Sequence, residues 1–579
     1  MDTITGAELL VDSLEANDIS HVFNIPGVGM FPFVDALADS DTISYVGGLN
    51  ETAIGLIAEG YSRATRQPGF VNVYHSSGTA LAMVALTVAW SDRTPLVFAS
   101  TTSSRQLSGR DQYAAVPDDI TDVPKQYTKW SYAIPSVERI PEAIARAVTV
   151  ATTPPMGPVH LAFPMDVYRD EVDASIIGAT PEPVDGQYPS SPASTATVDE
   201  SYAETTVYDD ATPSEEGLAE AASLLAEAES PLIAAGGEVG QHYATDELVA
   251  LAEQLGAGVV TEWRSPTYLP MPTDHPLYLG DVMAVSAADV DLFTETDVIL
   301  SVGFEFTEAR VGQYPIQMDD RVVHLTTDER DIGKQVPTDL ALVGHPRPAL
   351  HRLGTLLEDA DVGDVEERWE RVAGYTEGIE AAAEAKRDAL EADDRPTPAE
   401  RTIASLRDVF SDDLLVVNYA VMSGAYVGAL DFQRPDDFYA ISGKASAQGW
   451  AAPAGVGVQI AEPDRHVVVI NGDGGFMFTS PAAMYTAAYY DVPLTVIVLN
   501  NRGWGGGTYD SILENRWDKS GFIGAFDDPP LDFEMLVRGV GVHYERIDSM
   551  AAVEDSLRSA RDHDGPSVVE VSMEFGEGM

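Results

Sequence analysis

The feature that most constrains this chain is a pair of short β-branched runs, each broken by a loop rich in hydrogen-bonding groups. Val467-Val468-Val469-Ile470 runs into Asn471-Gly472-Asp473-Gly474-Gly475, and Leu494-Thr495-Val496-Ile497-Val498-Leu499 runs into Asn500-Asn501-Arg502-Gly503. A helical stretch from Ala482 to Tyr490 lies between them, so the segment spells one strand–helix–strand crossover. Such crossovers are right-handed and put both loops at the carboxyl ends of neighbouring parallel strands, where open α/β sheets take their ligands. Glycines let a backbone approach a diphosphate closely and leave amides free to donate to it. Asp473 and Asn501 stand 28 residues apart, about one crossover, so they can meet across the two loops. A carboxylate and an amide oxygen are hard donors that suit Mg²⁺ while leaving coordination positions for phosphate and water. Alone, Gly472-Asp473-Gly474 is a turn and Asn500-Asn501 a cap. Their coincidence at crossover spacing favours the ligand site.

The same rhythm recurs along the chain. Residues 1–170 alternate helical patterns with runs such as Phe70-Val71-Asn72-Val73 and Pro95-Leu96-Val97-Phe98. Residues 171–212 turn Pro/Ser/Thr/Asp-rich and aperiodic, which reads as a linker. Residues 213–356 form a second α/β segment, 357–400 an exposed Ala/Glu helical linker, and 401–579 a third α/β segment. The first and last segments share a Gly-Pro start to their final strand, at Gly157-Pro158 and Gly565-Pro566. The fold class expected is α/β, with three doubly wound parallel-sheet domains in series.

Composition narrows the partners. Net charge is −59, with six lysines in 579 residues, so nucleic acid phosphates and anionic membranes are repelled. The acidic residues are spread along the chain, as expected of a solvated shell suited to high intracellular salt. The absence of cysteine removes disulfides, thiolate metal sites and thiol nucleophiles. No run of 18 apolar residues occurs, and Met1 leads almost directly into the capping box Thr5-Gly6-Ala7-Glu8 rather than a secretory leader. The expected location is the cytoplasm.

A second candidate site opens the first segment. Gly48-Leu49-Asn50-Glu51-Thr52-Ala53 is followed by Gly60-Tyr61-Ser62-Arg63-Ala64-Thr65, with Ile54, Ile57, Ala58 and Tyr61 at helical spacing. Taken by itself, Asn50 is an N-cap and Glu51 a first-turn acid favoured by the helix dipole. His75, after a strand and before Ser76-Ser77-Gly78-Thr79, is a candidate for proton transfer on a substrate.

Together these stretches resemble the thiamine diphosphate enzyme family, over nearly the whole chain and nearest to the benzoylformate decarboxylases. Further matching stretches are Asn24-Ile25-Pro26-Gly27, Lys129-Trp130-Ser131-Tyr132 and Gly455-Val456-Gly457-Val458-Gln459. The resemblance implies an N-terminal pyrimidine domain, a central domain and a C-terminal diphosphate domain, with active sites at the subunit interface of a homodimer or homotetramer. It implies that Glu51 exchanges a proton with the cofactor's pyrimidine nitrogen. It further implies metal ligation by Asp473, Asn501 and the carbonyl of Gly503, with Gly472, Gly474, Gly475, Trp504 and Gly505 lining the diphosphate site.

The departures bear on substrate. The family's substrate-binding serine after Pro-Gly falls at Val28, beside Gly27, and its central-domain histidine falls near Arg310. Its first-domain histidine falls at Tyr74, directly before His75, and Gln448 replaces a large apolar residue under the bent cofactor. Arg310 and Arg502 are candidates to pair with a substrate carboxylate. Gly236-Gly237-Glu238-Val239-Gly240 lacks Gly-x-Gly-x-x-Gly spacing, so FAD is not expected. The resemblance thus implies a Mg²⁺- and thiamine diphosphate-dependent lyase that decarboxylates a small-molecule 2-oxo acid. The alternatives are acetolactate synthase-type carboligation, hydrolytic opening of a cyclic diketone, and a catalytically silent cofactor-binding scaffold.

Overall fold

The β-branched runs form strands because they can be buried on both faces of parallel sheets, where neighbouring helices cover them. The computed structural model describes residues 3–107, 110, 117–173, 211–262, 267–307, 321–391, 398–420, 427, 430–504, 526 and 529–573. The proposed linker therefore lies almost wholly outside the described residues, as do Arg310 and Gly505.

Three six-stranded sheets, every strand parallel to its neighbours, account for the architecture. The first holds β1 (His21–Asn24), β2 (Ser44–Gly47), β3 (Gly69–Tyr74), β4 (Leu96–Thr102), β5 (Trp130–Ala133) and β6 (Pro158–Pro164). The second holds β7 (Pro231–Ala235), β8 (Gly258–Thr261), β9 (Tyr278–Asp281), β10 (Val298–Val302), β11 (Arg321–Thr326) and β12 (Leu340–Val343). The third holds β13 (Leu414–Tyr419), β14 (Phe438–Ala440), β15 (His466–Gly472), β16 (Thr495–Asn500), β17 (His543–Ile547) and β18 (Ser567–Ser572).

The spatial order is β2-β1-β3-β4-β6-β5 in the first sheet and β14-β13-β15-β16-β18-β17 in the third. These are the same permutation, so the shared Gly-Pro start marks equivalent strands, β6 and β18. The central sheet runs β9-β8-β7-β10-β11-β12, the order of dinucleotide-binding folds. Each sheet has its own apolar core.

The described chain divides into two compact units. One comprises Met1–Val207 with Pro453–Pro463 and Thr479–Val492, and the other Tyr208–Ala452, Asp464–Phe478 and Pro493–Met579. Within the first unit, α1 (Gly6–Glu15) opens on the expected capping box: Thr5 N donates to Glu8 Oε2 at 2.8 Å and Glu8 N to Thr5 Oγ1 at 3.3 Å. The Thr5 N–H and the Thr5 hydroxyl, both donating to Glu8 Oε2, hold that carboxyl below the usual range.

α2 (Glu51–Thr65) and α3 (His75–Ser91) pack so closely that a Cβ on Gly55 would lie 2.8 Å from Ala85 Cβ. α4 (Ala451–Ala461) crosses α2 backbone to backbone, because a Cβ on Gly60 would strike the carbonyl of Ala454 and one on Gly457 that of Ile57. The buried Arg63 then locks the second half of α2, donating to Glu59 Oε1 at 2.7 Å and Asp92 Oδ2 at 2.7 Å.

Candidate active site

Every candidate residue of the first unit sits at the carboxyl edge of the first sheet. Gly27 and Val28 follow β1, Glu51 follows β2, Tyr74 ends β3 with His75 next, and Ser103 follows β4. Glu51 opens α2, whose N-cap Asn50 accepts the Ala53 N–H at 3.0 Å. Both bland roles are thus filled by these two residues, yet Glu51 has a particular neighbour. Its Oε1 lies 3.3 Å from where a Cβ on Gly78 would stand, so the missing side chain on α3 makes room for the carboxylate.

His75 has φ +60°, a left-handed conformation that costs a non-glycine residue strain and persists where the surroundings enforce it. The ring is buried. Nδ1 accepts the Ser76 N–H at 3.0 Å, so in the neutral ring Nε2 carries the proton, and it faces Ser103 Oγ at 2.9 Å. In that tautomer Nε2 donates to Ser103 Oγ. Tyr74 packs on Gly27, where a Cβ would stand 2.5 Å from Tyr74 Cδ2. Val28 projects outward, 73 % exposed. Ser103 and Gly78 escaped the sequence reading because serine and glycine carry no signal until a fold places them.

In the second unit, β15 ends at Gly472 and α5 (Asp473–Tyr489) begins at Asp473 itself. The stretch taken from sequence as a glycine loop is the first turn of this helix. A first-turn carboxylate gains from the helix dipole, and tertiary packing overrides the low helix propensity of Gly474 and Gly475. Asp473 Oδ1 accepts the Gly474 N–H at 2.7 Å, and Oδ2 accepts the Gly503 N–H at 3.0 Å. Asn501, at the end of β16, brings its Oδ1 to the same Gly503 N–H at 3.3 Å. The helix start and the loop after β16 therefore meet. Burial pushes the Asp473 carboxyl up to about 6, against the pull of backbone N–H groups from Gly474, Gly503 and Arg502.

Trp504 covers this corner, and a Cβ on Gly474 would stand 2.7 Å from its ring. Phe478 and Phe526 brace the indole edge-on, each with ring centroids 5.6 Å away. Gln448 Oε1 lies 3.6 Å, and Asn471 Oδ1 2.5 Å, from a Cβ placed on Gly475. Arg502 takes φ +62° in the turn between Asn501 and Gly503.

The donor set fits a Mg²⁺-bound diphosphate. One buried carboxylate, one amide oxygen and a glycine-bared helix start offer charge, hard ligands and close approach together. Among the described residues no group of three or more His, Cys, Asp or Glu is placed to hold a metal.

Comparison with known proteins agrees with this geometry. The N-terminal TPP-binding domain of thiamine pyrophosphate enzymes matches residues 4–122, the central domain 218–353 and the C-terminal TPP-binding domain 419–571. The chain belongs to the thiamine diphosphate enzyme family. It is 28 % identical to a probable acetolactate synthase large subunit of Methanocaldococcus jannaschii, covering 99 % of this chain and 93 % of that protein. It is 27 % identical to a benzoylformate decarboxylase of Pseudomonas aeruginosa, over 99 % of both. A solved thiamine diphosphate-dependent 4-hydroxybenzoylformate decarboxylase of Rhodococcus jostii superposes with a TM-score of 0.79 at 26 % identity, covering 99 % of this chain and 100 % of that one. This thiamine diphosphate enzyme is thus of the decarboxylase and acetolactate synthase type. Among its described residues no helix is long and apolar enough to cross a membrane.

Proposed function

We propose that this enzyme is a Mg²⁺-dependent carbon–carbon lyase that decarboxylates a 2-oxo acid without oxidation. The observation that carries the reading is the meeting of Asp473 and Asn501 on the Gly503 amide beside the Gly474 cradle, with Glu51 independently presented at a helix start. Bound thiamine diphosphate supplies the nucleophilic carbon and the electron sink for cleavage beside a ketone. Asp473, Asn501 and the Gly503 carbonyl would hold Mg²⁺, and Gly472, Gly474, Gly475, Trp504 and Gly505 are the residues assigned to the diphosphate. Glu51 would exchange a proton with the pyrimidine nitrogen of the bound cofactor. His75, backed by Ser103, handles a proton of the substrate or product. The family resemblance assigns Gly27, Val28, Gln448 and Arg310 to the substrate side, where an arginine would suit the substrate carboxylate.

The active assembly is a homodimer or a homotetramer, in which Glu51 of one subunit serves the metal loops of another. Support comes from apolar side chains left open near Glu51 in a chain of net charge −59: Leu49 is 63 % exposed and Leu81 49 %. Leu81 also accepts the Thr52 hydroxyl at 2.6 Å, which ties it to the start of α2.

FAD is no part of this reading. At the switch point between β7 and β10 the buried Glu238 accepts Thr326 Oγ1 at 3.1 Å and the Thr327 N–H at 3.0 Å. A buried carboxylate there supports the reading, because its charge would repel a dinucleotide's diphosphate. Carboligation is the second reading, favoured by the likeness to an acetolactate synthase subunit over 99 % of the chain.

The test is product analysis of the full chain with thiamine diphosphate and Mg²⁺ in molar KCl, offered benzoylformate, pyruvate or a cyclic 1,2-dione. CO₂ with one equivalent of aldehyde supports decarboxylation. Acetolactate from pyruvate, or a ring-opened acid from the dione, replaces it with the corresponding alternative.

A further inference from the structure

Glu570 stands in the middle of β18, flanked by Val569 and Val571, and is buried. A strand covered on both faces of a parallel sheet is ordinarily an apolar run, and a carboxylate buried in one must be satisfied by donors. Its two oxygens are divided between two groups. Asn500 Nδ2 donates to Oε1 at 2.7 Å, and the Tyr544 hydroxyl donates to Oε2. Burial and the facing carboxylate raise the Tyr544 phenol, which keeps it a proton donor. Arg546, the register partner of Glu570 on β17, instead donates from Nε to Ser572 Oγ at 3.3 Å, and no ion pair to Glu570 occurs among the described residues.

Asn500 carries the carboxylate's influence forward. With Nδ2 committed to Glu570, Oδ1 is turned the other way and accepts the Arg502 N–H at 3.0 Å. That bond closes the left-handed turn at Arg502, and the next N–H, of Gly503, is the one on which Asp473 and Asn501 converge. Tyr544, Glu570 and Asn500 therefore form a continuous brace behind the loop.

We propose that Glu570 is the positioning residue of the metal loop: through Asn500 it sets the turn that presents the Asn501 oxygen beside Asp473. The inference rests on the Mg²⁺-diphosphate reading above. Removing partners that orient metal ligands typically lowers metal affinity about 10–100-fold, whereas a residue that only fills the core changes stability and leaves affinity alone.

The experiment titrates Mg²⁺ into the full chain at saturating thiamine diphosphate by calorimetry, with thermal unfolding of the ligand-free protein beside it. Glu570→Ala and Asn500→Ala are expected to raise half-saturating Mg²⁺ about 10–100-fold. The double variant should be no worse than either single one, because both break the same brace. Glu570→Gln should return affinity to within about fivefold, since its carbonyl still accepts Asn500 and its amide donates to a rotated Tyr544. Should Glu570→Ala fail to fold, Asn500→Ala and Glu570→Gln decide the matter in the same way. Unchanged Mg²⁺ dependence in the folded variants, or strictly additive losses, overturns the inference alone. Wild-type binding of thiamine diphosphate that ignores Mg²⁺ overturns the reading beneath it as well.

Discussion

Asp473 and Asn501, at the ends of neighbouring strands, aim side-chain oxygens at a single backbone N–H, that of Gly503, at 3.0 and 3.3 Å. One hydrogen cannot serve two acceptors well, and both residues are buried. The pair is left electron-rich, and burial pushes Asp473 up to about 6. A divalent cation bound between them would answer both needs.

Asp473→Asn should therefore separate stability from binding. Burial disfavours the Asp473 charge even against its backbone N–H donors, so removing it should preserve or raise the unfolding temperature of the ligand-free chain at pH 7. Mg²⁺-dependent binding of thiamine diphosphate, followed by quenching of tryptophan fluorescence with Trp504 at the site, should weaken at least about 100-fold. A variant that loses stability and keeps affinity would show that Asp473 is a structural cap.

Gly78→Ala tests the space kept for Glu51. Alanine is the better helix former by about 1 kcal/mol, so α3 should tolerate it. Its methyl would stand 3.3 Å from both Glu51 Oε1 and Val73 Cβ, and the carboxylate must shift by a few tenths of an ångström. The expected outcome is an unchanged or higher melting temperature with kcat reduced several-fold or more. Full activity would mean that the position of Glu51 is not critical.

His160 should give the first unit an acid-sensitive element. The ring lies in β6 between Ser131 Oγ at 2.9 Å and Ser100 Oγ at 3.0 Å, and burial pushes it down to about 3, weakly opposed by Asp119. A folded value below the unfolded one means the ring is neutral in the fold and takes up a proton on unfolding. The contribution is complete above pH 6.5 and is lost as pH falls toward 3, at up to about 1.4 kcal/mol per pH unit. Denaturant midpoints of wild type and His160→Gln between pH 7 and 4 should show a shallower pH slope in the variant. Parallel slopes would contradict the assignment.

The charge of −59 should make stability depend on salt. Screening relieves self-repulsion among exposed carboxylates, so the melting temperature should climb as KCl rises from 0.1 M to about 3 M. A maximum in dilute buffer would remove the argument for adaptation to salt.

Much of the fold was legible because parallel strands buried on both faces must be β-branched runs, and the runs Phe70–Val73 and Val467–Ile470 read from sequence lie inside strands Gly69–Tyr74 and His466–Gly472. The meeting of Asp473 with Asn501 followed from crossover length alone. The start of α5 was hidden because Gly474 and Gly475 weigh against a helix locally, and only packing under Trp504 reverses that. The burial of His75 against Ser103 depends on how β3 and β4 pair, which no local pattern states. Glu570 did leave a trace, a lone carboxylate inside Val568-Val569-Glu570-Val571, but its partners Asn500 and Tyr544 lie 70 and 26 residues away.

The most direct test of the whole account measures hydrogen–deuterium exchange at the thiazolium carbon of bound thiamine diphosphate, in wild type and in Glu51→Gln. If Glu51 supplies the proton relay and the Asp473–Asn501 loops hold the same cofactor, the variant should bind thiamine diphosphate and Mg²⁺ with near wild-type affinity. Its exchange should slow by at least about 100-fold, the scale of a positioned acid–base group. Exchange at the wild-type rate in the loaded variant would contradict it.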